Sequence, residues 1–280
     1  MNALKIRQLM NWVVPKNIEG LLGLGWDAIA HSKIAANAAL KNRHQGKRCF
    51  VLGNGPSLAK TDLTPLANEY TIGANSFYRH PQADVVGLKY LCVGDPYFMI
   101  ESPKTITWHK TLCEQMPKTT FILHRDGQPL VQNNDLYKGR HVYFVRTGLA
   151  TATASLARID FTRSLNIGMT TGTLVAIPLA MYLGFKEICL VGFDANWLDN
   201  YDGSYHFYDK HDLFPEFDAV ATDGRGAKYE DEVISVLREY QSHRMLQQVA
   251  QARGIKLVNA TLGGRLDMHP RLEYRSLFHG

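Results

Sequence analysis

From Arg48 onward, short apolar runs are separated by polar or glycine-bearing turns: "CFVLG" from Cys49, "YTIGAN" from Tyr70, "VVGLKYLCVGD" from Val85, "TFILH" from Thr120, "HVYFV" from His141, "EICLVGFD" from Glu187 and "IKLVNAT" from Ile255. Their apolar residues are continuous rather than alternating, which predicts strands covered on both faces, the mark of a largely parallel sheet. Between them, "TGTLVAIPLAMYLGF" and "EDEVISVLREYQSHRMLQQVAQARG" have the length and texture of helices, and Gly254 closes the second before the strand at Ile255. Strand alternating with helix predicts an α/β fold, a Rossmann-like doubly wound, mostly parallel sheet. The stretch before Arg48 reads differently. It has a helical period, and "HSKIAANAALKNRHQGK" reaches a glycine suited to a C-cap at Gly46. Residues 1–46 are therefore expected to be a helical N-terminal extension, and residues 47–280 one Rossmann-like domain.

Composition narrows the class. The chain has 280 residues, 45% hydrophobic and 20% charged, which is ordinary for a globular protein and argues against disorder. A net charge of +5 spread without long like-charge runs gives little support to a nucleic-acid partner, and none is expected. Cys49, Cys92, Cys113 and Cys189 are far apart and show no CxxC spacing, so reduced, packed thiols and a cytoplasmic location are expected. No segment reads as a signal peptide or a spanning helix. Bases such as Lys5, Arg7 and Lys16 are interleaved with Leu4, Ile6, Leu9 and Trp12. That pattern suits peripheral contact with an anionic membrane face, or packing on the chain's own domain or on a second copy.

In doubly wound sheets ligands sit beyond the carboxyl ends of the strands. Those positions here carry Gly53-Asn54-Gly55-Pro56-Ser57, Ala74-Asn75-Ser76, Gly94-Asp95-Pro96, Asp194-Ala195-Asn196 and Asn259-Ala260-Thr261. One such turn is explained by capping and turn preferences alone, but five polar turns at one edge point to a ligand. The first loop has neither the third glycine of GxGxxG nor the GxxxxGK[ST] pattern, so a dinucleotide or P-loop site is poorly supported. Gly53 and Gly55 leave the backbone open to close approach, and Ser57 suits a cap or hydroxyl donor. Met169-Thr170-Thr171-Gly172-Thr173 opens an apolar helix whose N-terminus suits a phosphate.

The strings "RCFVLGNGPSL", "TIGANSFYR", "TTGTLVAIPLAMYLGFKEICLVGFD" and "GIKLVNATLGGRLDMHPRLEYRSLF" resemble the MptE-like (6-hydroxymethylpterin diphosphokinase MptE-like) domain proteins of bacterial surface-polysaccharide gene sets. More distantly they resemble the Maf flagellin-glycosylation proteins and the bacterial lipooligosaccharide sialyltransferases. The resemblance runs from about Gly46 to Phe278 and implies a Rossmann-like glycosyltransferase domain. The archaeal pterin diphosphokinases share the Gly-x-Gly-Pro-Ser-Leu loop, but their acidic and His-rich motifs are not matched. The third strand here ends in Val93-Gly94-Asp95-Pro96, with one carboxylate, whereas diphosphate transfer from ATP wants carboxylate-held Mg²⁺.

The likeness to the sialyltransferases implies a CMP-sugar donor held by Gly53, Asn54, Gly55, Pro56, Ser57, Asn75, Asp95, Thr170, Thr171 and Gly172. It departs at Asp95, where that family has Asn. Of the family's two tyrosines near the donor phosphate, the first is replaced by Asn196 and the second matches Tyr205. The family's histidine before the long C-terminal helix is missing, since Ala227 to Asp231 contain none. His206, beside Tyr205, is then the candidate general base, with Asp194 as rival; His243 lies inside the helix and is the weaker candidate. The remaining histidines are scattered singly, so no resident metal and no tightly bound cofactor are expected.

The expectation is a metal-independent inverting glycosyltransferase acting from a CMP-linked acidic sugar (sialic, pseudaminic or Kdo class) onto a glycan acceptor, in surface polysaccharide or lipopolysaccharide synthesis. An ATP/Mg-dependent diphosphokinase and a non-catalytic glycan-assembly binding module are the alternatives.

Overall fold

The computed structural model describes residues 34–147, 154–167, 171–199, 206–208 and 229–278. The seven apolar runs become the strands Arg48–Leu52 (β1), Thr71–Ala74 (β2), Tyr90–Val93 (β3), Thr120–His124 (β4), Val142–Val145 (β5), Glu187–Val191 (β6) and Lys256–Asn259 (β7). They form one sheet in the order β5-β4-β3-β2-β1-β6-β7, and every pairing is parallel. The chain steps outward from β1 to β5, then returns to the other side of β1 as β6. The order reverses between β1 and β6, where an open α/β sheet leaves its ligand crevice.

Strand residues alternate between two cores, as both-face burial requires. Val51, Ile72, Cys92, Ile122 and Leu190 belong to one core, and Phe50, Leu52, Leu91, Phe121 and Val191 to the other. The second core is closed by the helix Pro103–Gln115 (α1), which buries Trp108 and Leu112, and by the short helix Gln128–Asn133 (α2), which buries Leu130. The first core is closed by Gly172–Tyr182 (α3) and Tyr229–Ala252 (α4). In α3 every residue from Leu174 to Tyr182 is buried, which explains its unbroken apolar run. The "VVGLKYLCVGD" run splits, because Ala83–Val86 is a helical turn ended by Gly87 at φ 53°, and only Tyr90–Val93 joins the sheet.

The end of the expected extension is a 3-10 helix, Ala35–Leu40, with turns up to Gly46 at φ 78°. It packs into the first core through Ile34 and Leu40. Asn37 is buried there and donates from Nδ2 to the carbonyls of Phe144 and Phe161, each at 2.8 Å. Asn42, His44 and Gly46 donate backbone N–H bonds to Tyr182, Leu183 and Gly184, tying the turns to the end of α3. Residues 1–33, with their expected membrane or partner contact, lie outside the described residues. Among the described residues no helix is long and apolar enough to cross a membrane.

Replacing Asn37 by Ala strands two buried carbonyls, each worth about 1–3 kcal/mol when left unbonded. Asn37→Ala is expected to cost about 2–4 kcal/mol in a urea-unfolding titration, and no measurable loss would show that residues 34–46 do not contribute to the domain's stability.

Candidate functional site

The loops that leave β1 and β6 are clasped together at the switch point. Gly53 and Gly55 donate backbone bonds to the carbonyls of Val191 (2.8 Å) and Gly192 (2.9 Å). A Cβ at Gly53 would strike the Gly192 carbonyl, and one at Gly55 would strike the Asp194 carboxylate. The two glycines are thus required by the loop after β6. The buried Asp194 accepts from the Ser57 amide at 3.0 Å and from the Ser57 hydroxyl at 2.8 Å. Burial raises its pKa above the ordinary carboxylate value, and the two Ser57 bonds oppose that rise. Ser57 therefore anchors Asp194 from within the 3-10 helix Pro56–Lys60, and does not act as an N-cap.

Next to this clasp two asparagines each keep a side-chain oxygen without a partner. Asn54 is buried and donates from Nδ2 to the Ala74 carbonyl at 3.0 Å, while its Oδ1 is buried without a hydrogen-bond partner. Asn75 adopts φ 46°, a left-handed conformation that Asn tolerates better than most residues. Its backbone N–H donates to the Cys92 carbonyl at 3.0 Å, and its side-chain Oδ1 is also buried and unpartnered. Gly172, the first residue of α3, lies against that Oδ1 and the Cys92 carbonyl, with no room for a Cβ. Gly94 is likewise packed on the Thr171 backbone. Thr171 caps α3 by accepting from the Leu174 amide at 3.2 Å. The ends of β1, β2 and β3 and the N-terminus of α3 thus converge, with Asp95 half-buried beside them.

The segment His206–Tyr208 docks on the same edge. Phe207 donates its amide to the Asn54 carbonyl at 2.9 Å, and its ring meets His80 edge-on at 5.1 Å. The Tyr208 ring stacks with His206 at 4.9 Å and lies 5.7 Å from the Arg79 guanidinium. Burial pushes the Tyr208 phenol up to about 12, against the pull of a hydrogen bond with Ser76. Ser76 also accepts from Trp108 Nε1 at 3.2 Å.

Of the expected site residues, the structure gathers Gly53, Asn54, Gly55, Ser57, Asn75, Asp95, Thr171, Gly172, Asp194 and His206 along one edge. Thr170 and Tyr205 lie outside the described residues. Arg79 and His80 were not among the expected site residues, although "NSFYRH" directly after β2 carried them, and Phe207 had no comparable local signal. Among the described residues there is no group of three or more His, Cys, Asp or Glu suited to a metal.

His243 lies behind the site, fully inside the fold. His243 Nδ1 is 3.0 Å from His269 Nε2, His269 Nδ1 is 2.8 Å from Gln247 Oε1, and His243 Nε2 is 4.0 Å from Glu239 Oε1. Its ring meets Phe193, next to Asp194, edge-on at 5.9 Å. Burial holds both imidazoles below their ordinary value, His269 at about 4, and raises Glu239 to about 8.

No protein-family model matches the chain, and no curated protein matches it. Among solved structures, the chain overlaps the Maf glycosyltransferase from Magnetospirillum magneticum AMB-1 at 15% identity and a TM-score of 0.49. That overlap covers 88% of this chain but 39% of the other, so the chain spans well under half the length of that protein. It also overlaps the sialyltransferase CstII from Campylobacter jejuni, solved with cytidine-5'-monophosphate, at 16% identity and a TM-score of 0.46 over 81% of this chain and 85% of that one. A structure of the same sialyltransferase with trisaccharide acceptor and CMP overlaps at 18% identity and a TM-score of 0.42, over 76% and 80% of the two chains.

The buried Glu239 sets a pH dependence. The folded chain holds a proton there that the unfolded chain releases above its ordinary value of 4.5, so stability falls as pH rises from about 4.5 to about 8. The two histidines act on the acid side. They stay neutral in the fold while the unfolded chain protonates them below 6.5, so stability also falls from there toward about 4. Glu239→Gln is expected to raise the melting midpoint at pH 8 by a few degrees and to leave it nearly unchanged at pH 5; equal shifts at both values would show that Glu239 is ionised in the fold.

Proposed function

We propose that the chain is an inverting glycosyltransferase that uses a CMP-linked acidic sugar, of the sialic, pseudaminic or Kdo class, in surface-glycan synthesis. The observation that carries this reading is the pair of unpartnered, buried carbonyl oxygens on Asn54 and Asn75 beside the N-terminus of α3. Buried acceptors need donors, and a nucleoside supplies them as ribose hydroxyls or a cytosine amino group. The helix N-terminus beside them favours the single phosphate of CMP. The motif resemblance supports the same class.

Within this reading Asn54, Asn75, Thr171 and Gly172 bind the donor, with Asp95 on a hydroxyl or amino group and Gly53, Gly55, Pro56 and Thr170 shaping the loops. Asp194 is a positioning residue, because its carboxylate is committed to Ser57. His206 is the base. It takes the proton of an acceptor hydroxyl as that oxygen attacks the anomeric carbon, and the bond to the CMP phosphate breaks with its electron pair leaving on CMP. Tyr208 fixes the His206 ring by stacking, and Tyr205 supports the leaving phosphate. Such an enzyme would act in the cytoplasm, at the inner face of the membrane.

Thermal melts with CMP, UDP, GDP and ATP, each in EDTA or Mg²⁺, test the nucleotide class. CMP in EDTA is expected to raise the midpoint. Asn75→Gly, which keeps the φ 46° backbone unstrained while removing the carbonyl, is expected to weaken CMP about 5- to 100-fold. Stabilisation by ATP with Mg²⁺ alone would overturn the reading in favour of a diphosphokinase.

His206→Ala is expected to lower transfer turnover about 10²- to 10⁴-fold with CMP affinity intact. Tyr208→Phe breaks the bond with Ser76 and is expected to shift the pH profile of turnover without that loss. Full activity in His206→Ala would remove His206 as base, and CMP-sugar binding without turnover in the unaltered protein would favour a binding module.

A further inference from the structure

We propose that the exposed face of α4 is the contact surface for a second copy of this chain, paired antiparallel about a two-fold axis at Leu237. Tyr229, Val233 and Leu237 follow one another at four-residue spacing and are 53%, 37% and 52% exposed. Residues four apart lie one above the other on a helix, so the three side chains form one apolar line along its solvent face. Val236, Glu239, Ser242 and His243 are buried on the opposite side. Single apolar residues on a surface are ordinary, but three in a line on one helix make a contact face. The line stands clear of the core because of where the helix runs. Joining the parallel strands β6 and β7, α4 runs back against them, and its Tyr240 hydroxyl reaches the Ala195 carbonyl past the end of β6 at 2.8 Å. Residues before Tyr240 therefore extend past the carboxyl edge of the sheet, by up to about 16 Å at Tyr229.

The charges on that face are self-complementary. Glu230 and Arg244 are exposed and lie seven residues to either side of Leu237, and seven residues make about two turns, so all three share one face. The two charges are about 21 Å apart along the axis and cannot meet within one helix. Neither takes part in an ion pair among the described residues. The helix dipole accounts for an acid in the first turn, but not for an arginine eight residues before the end or for the apolar line between them. In an antiparallel pair centred on Leu237, each Glu230 faces the partner's Arg244, Leu237 meets its own copy on the axis, and Val233 packs on the stem of the partner's Gln241. A two-fold contact requires this reciprocity, in which every pair occurs twice. A parallel pair would set each charge against its own kind. The same helix carries Tyr240 and His243, which brace Ala195 and Phe193 on either side of Asp194, so the contact and the candidate site share one rigid element.

Sedimentation velocity of the full chain over a rising concentration series is expected to show monomer and dimer in equilibrium. Leu237→Glu changes an exposed position, places two carboxylates on the axis, and is expected to weaken the dimer at least about 30-fold with the melting midpoint of the monomer retained. Glu230→Arg and Arg244→Glu each set like charges face to face and are expected to weaken it about 3- to 10-fold. The double variant, with the two charges exchanged, is expected to return to within about twofold of the wild type. Rescue by exchange is the mark of a helix that faces its own copy.

A wild type that stays monomeric at every concentration would overturn the proposal, and so would a dimer that Leu237→Glu leaves intact. A monomeric wild type whose melting midpoint drops in Leu237→Glu would give the face to another segment of the same chain, such as residues 1–33. Weakening in both single charge variants without rescue in the double would overturn the pairing centred on Leu237.

Discussion

The bidentate contact between Asp194 and Ser57 is the constraint on which the candidate site depends. It joins residues 137 positions apart in the chain, across the place where the strand order reverses. A carboxylate that is buried and accepts two hydrogen bonds is costly to leave unmade, so the loops after β1 and β6 have one mutual arrangement. Asp194 is held from its other side as well. Arg265 donates its amide to the Asp194 carbonyl, and Gly264 at φ 82° lies too close to Asp194 for any side chain. Three strand ends, β1, β6 and β7, are thereby locked into one rigid rim.

That lock has a cost that falls on neighbouring backbone. Ala195 adopts φ 54°, an unfavourable conformation for a residue with a Cβ. The Tyr240 hydroxyl donates to its carbonyl at 2.8 Å, which helps hold the turn in place. Asn75 stands in the same left-handed region at the end of β2. Strained residues persist where the surroundings over-determine them, and both of these adjoin the edge where the unpartnered amide oxygens lie. The rim is therefore pre-shaped, and a ligand meeting it has little ordering left to supply.

The strands were legible because burial on both faces erases polar alternation, leaving seven apolar blocks that no other element explains so simply. α3 was legible for the same reason, since a helix wrapped by sheet and helix is apolar all round. α1 was harder to see. It shows a starting signal, with Ser102 capping the Thr105 amide and Pro103 at its first position, but its buried face includes Thr105 and His109, which blur the period. The Gly-Asn-Gly loop stood out as a candidate site, yet the reason for its glycines was not legible. They make room for Gly192 and Asp194, residues whose proximity is set by the β1–β6 pairing and by no local pattern. Ser57 likewise looked like a cap because its partner is remote in sequence.

On the proposed function, the unpartnered oxygens of Asn54 and Asn75 set what the candidate site would recognise. Each costs about 1–3 kcal/mol while unbonded, in a fold whose net stability is about 5–15 kcal/mol. Neither is needed to keep the backbone in place, because Asn54 already bonds the Ala74 carbonyl through its amide nitrogen and Asn75 bonds Cys92 through its backbone. A purely structural residue at either position could satisfy the backbone without a buried, empty acceptor. Under the proposed function, a ligand with donors in these two places would bond both oxygens, and one without them would leave the oxygens unbonded. A site of this kind discriminates by what is left unbonded, rejecting an analogue without the matching hydroxyl or amino group more strongly than an apolar pocket rejects a missing methylene. Under the proposed function, the two asparagines would favour a ligand rich in directed donors over an apolar one.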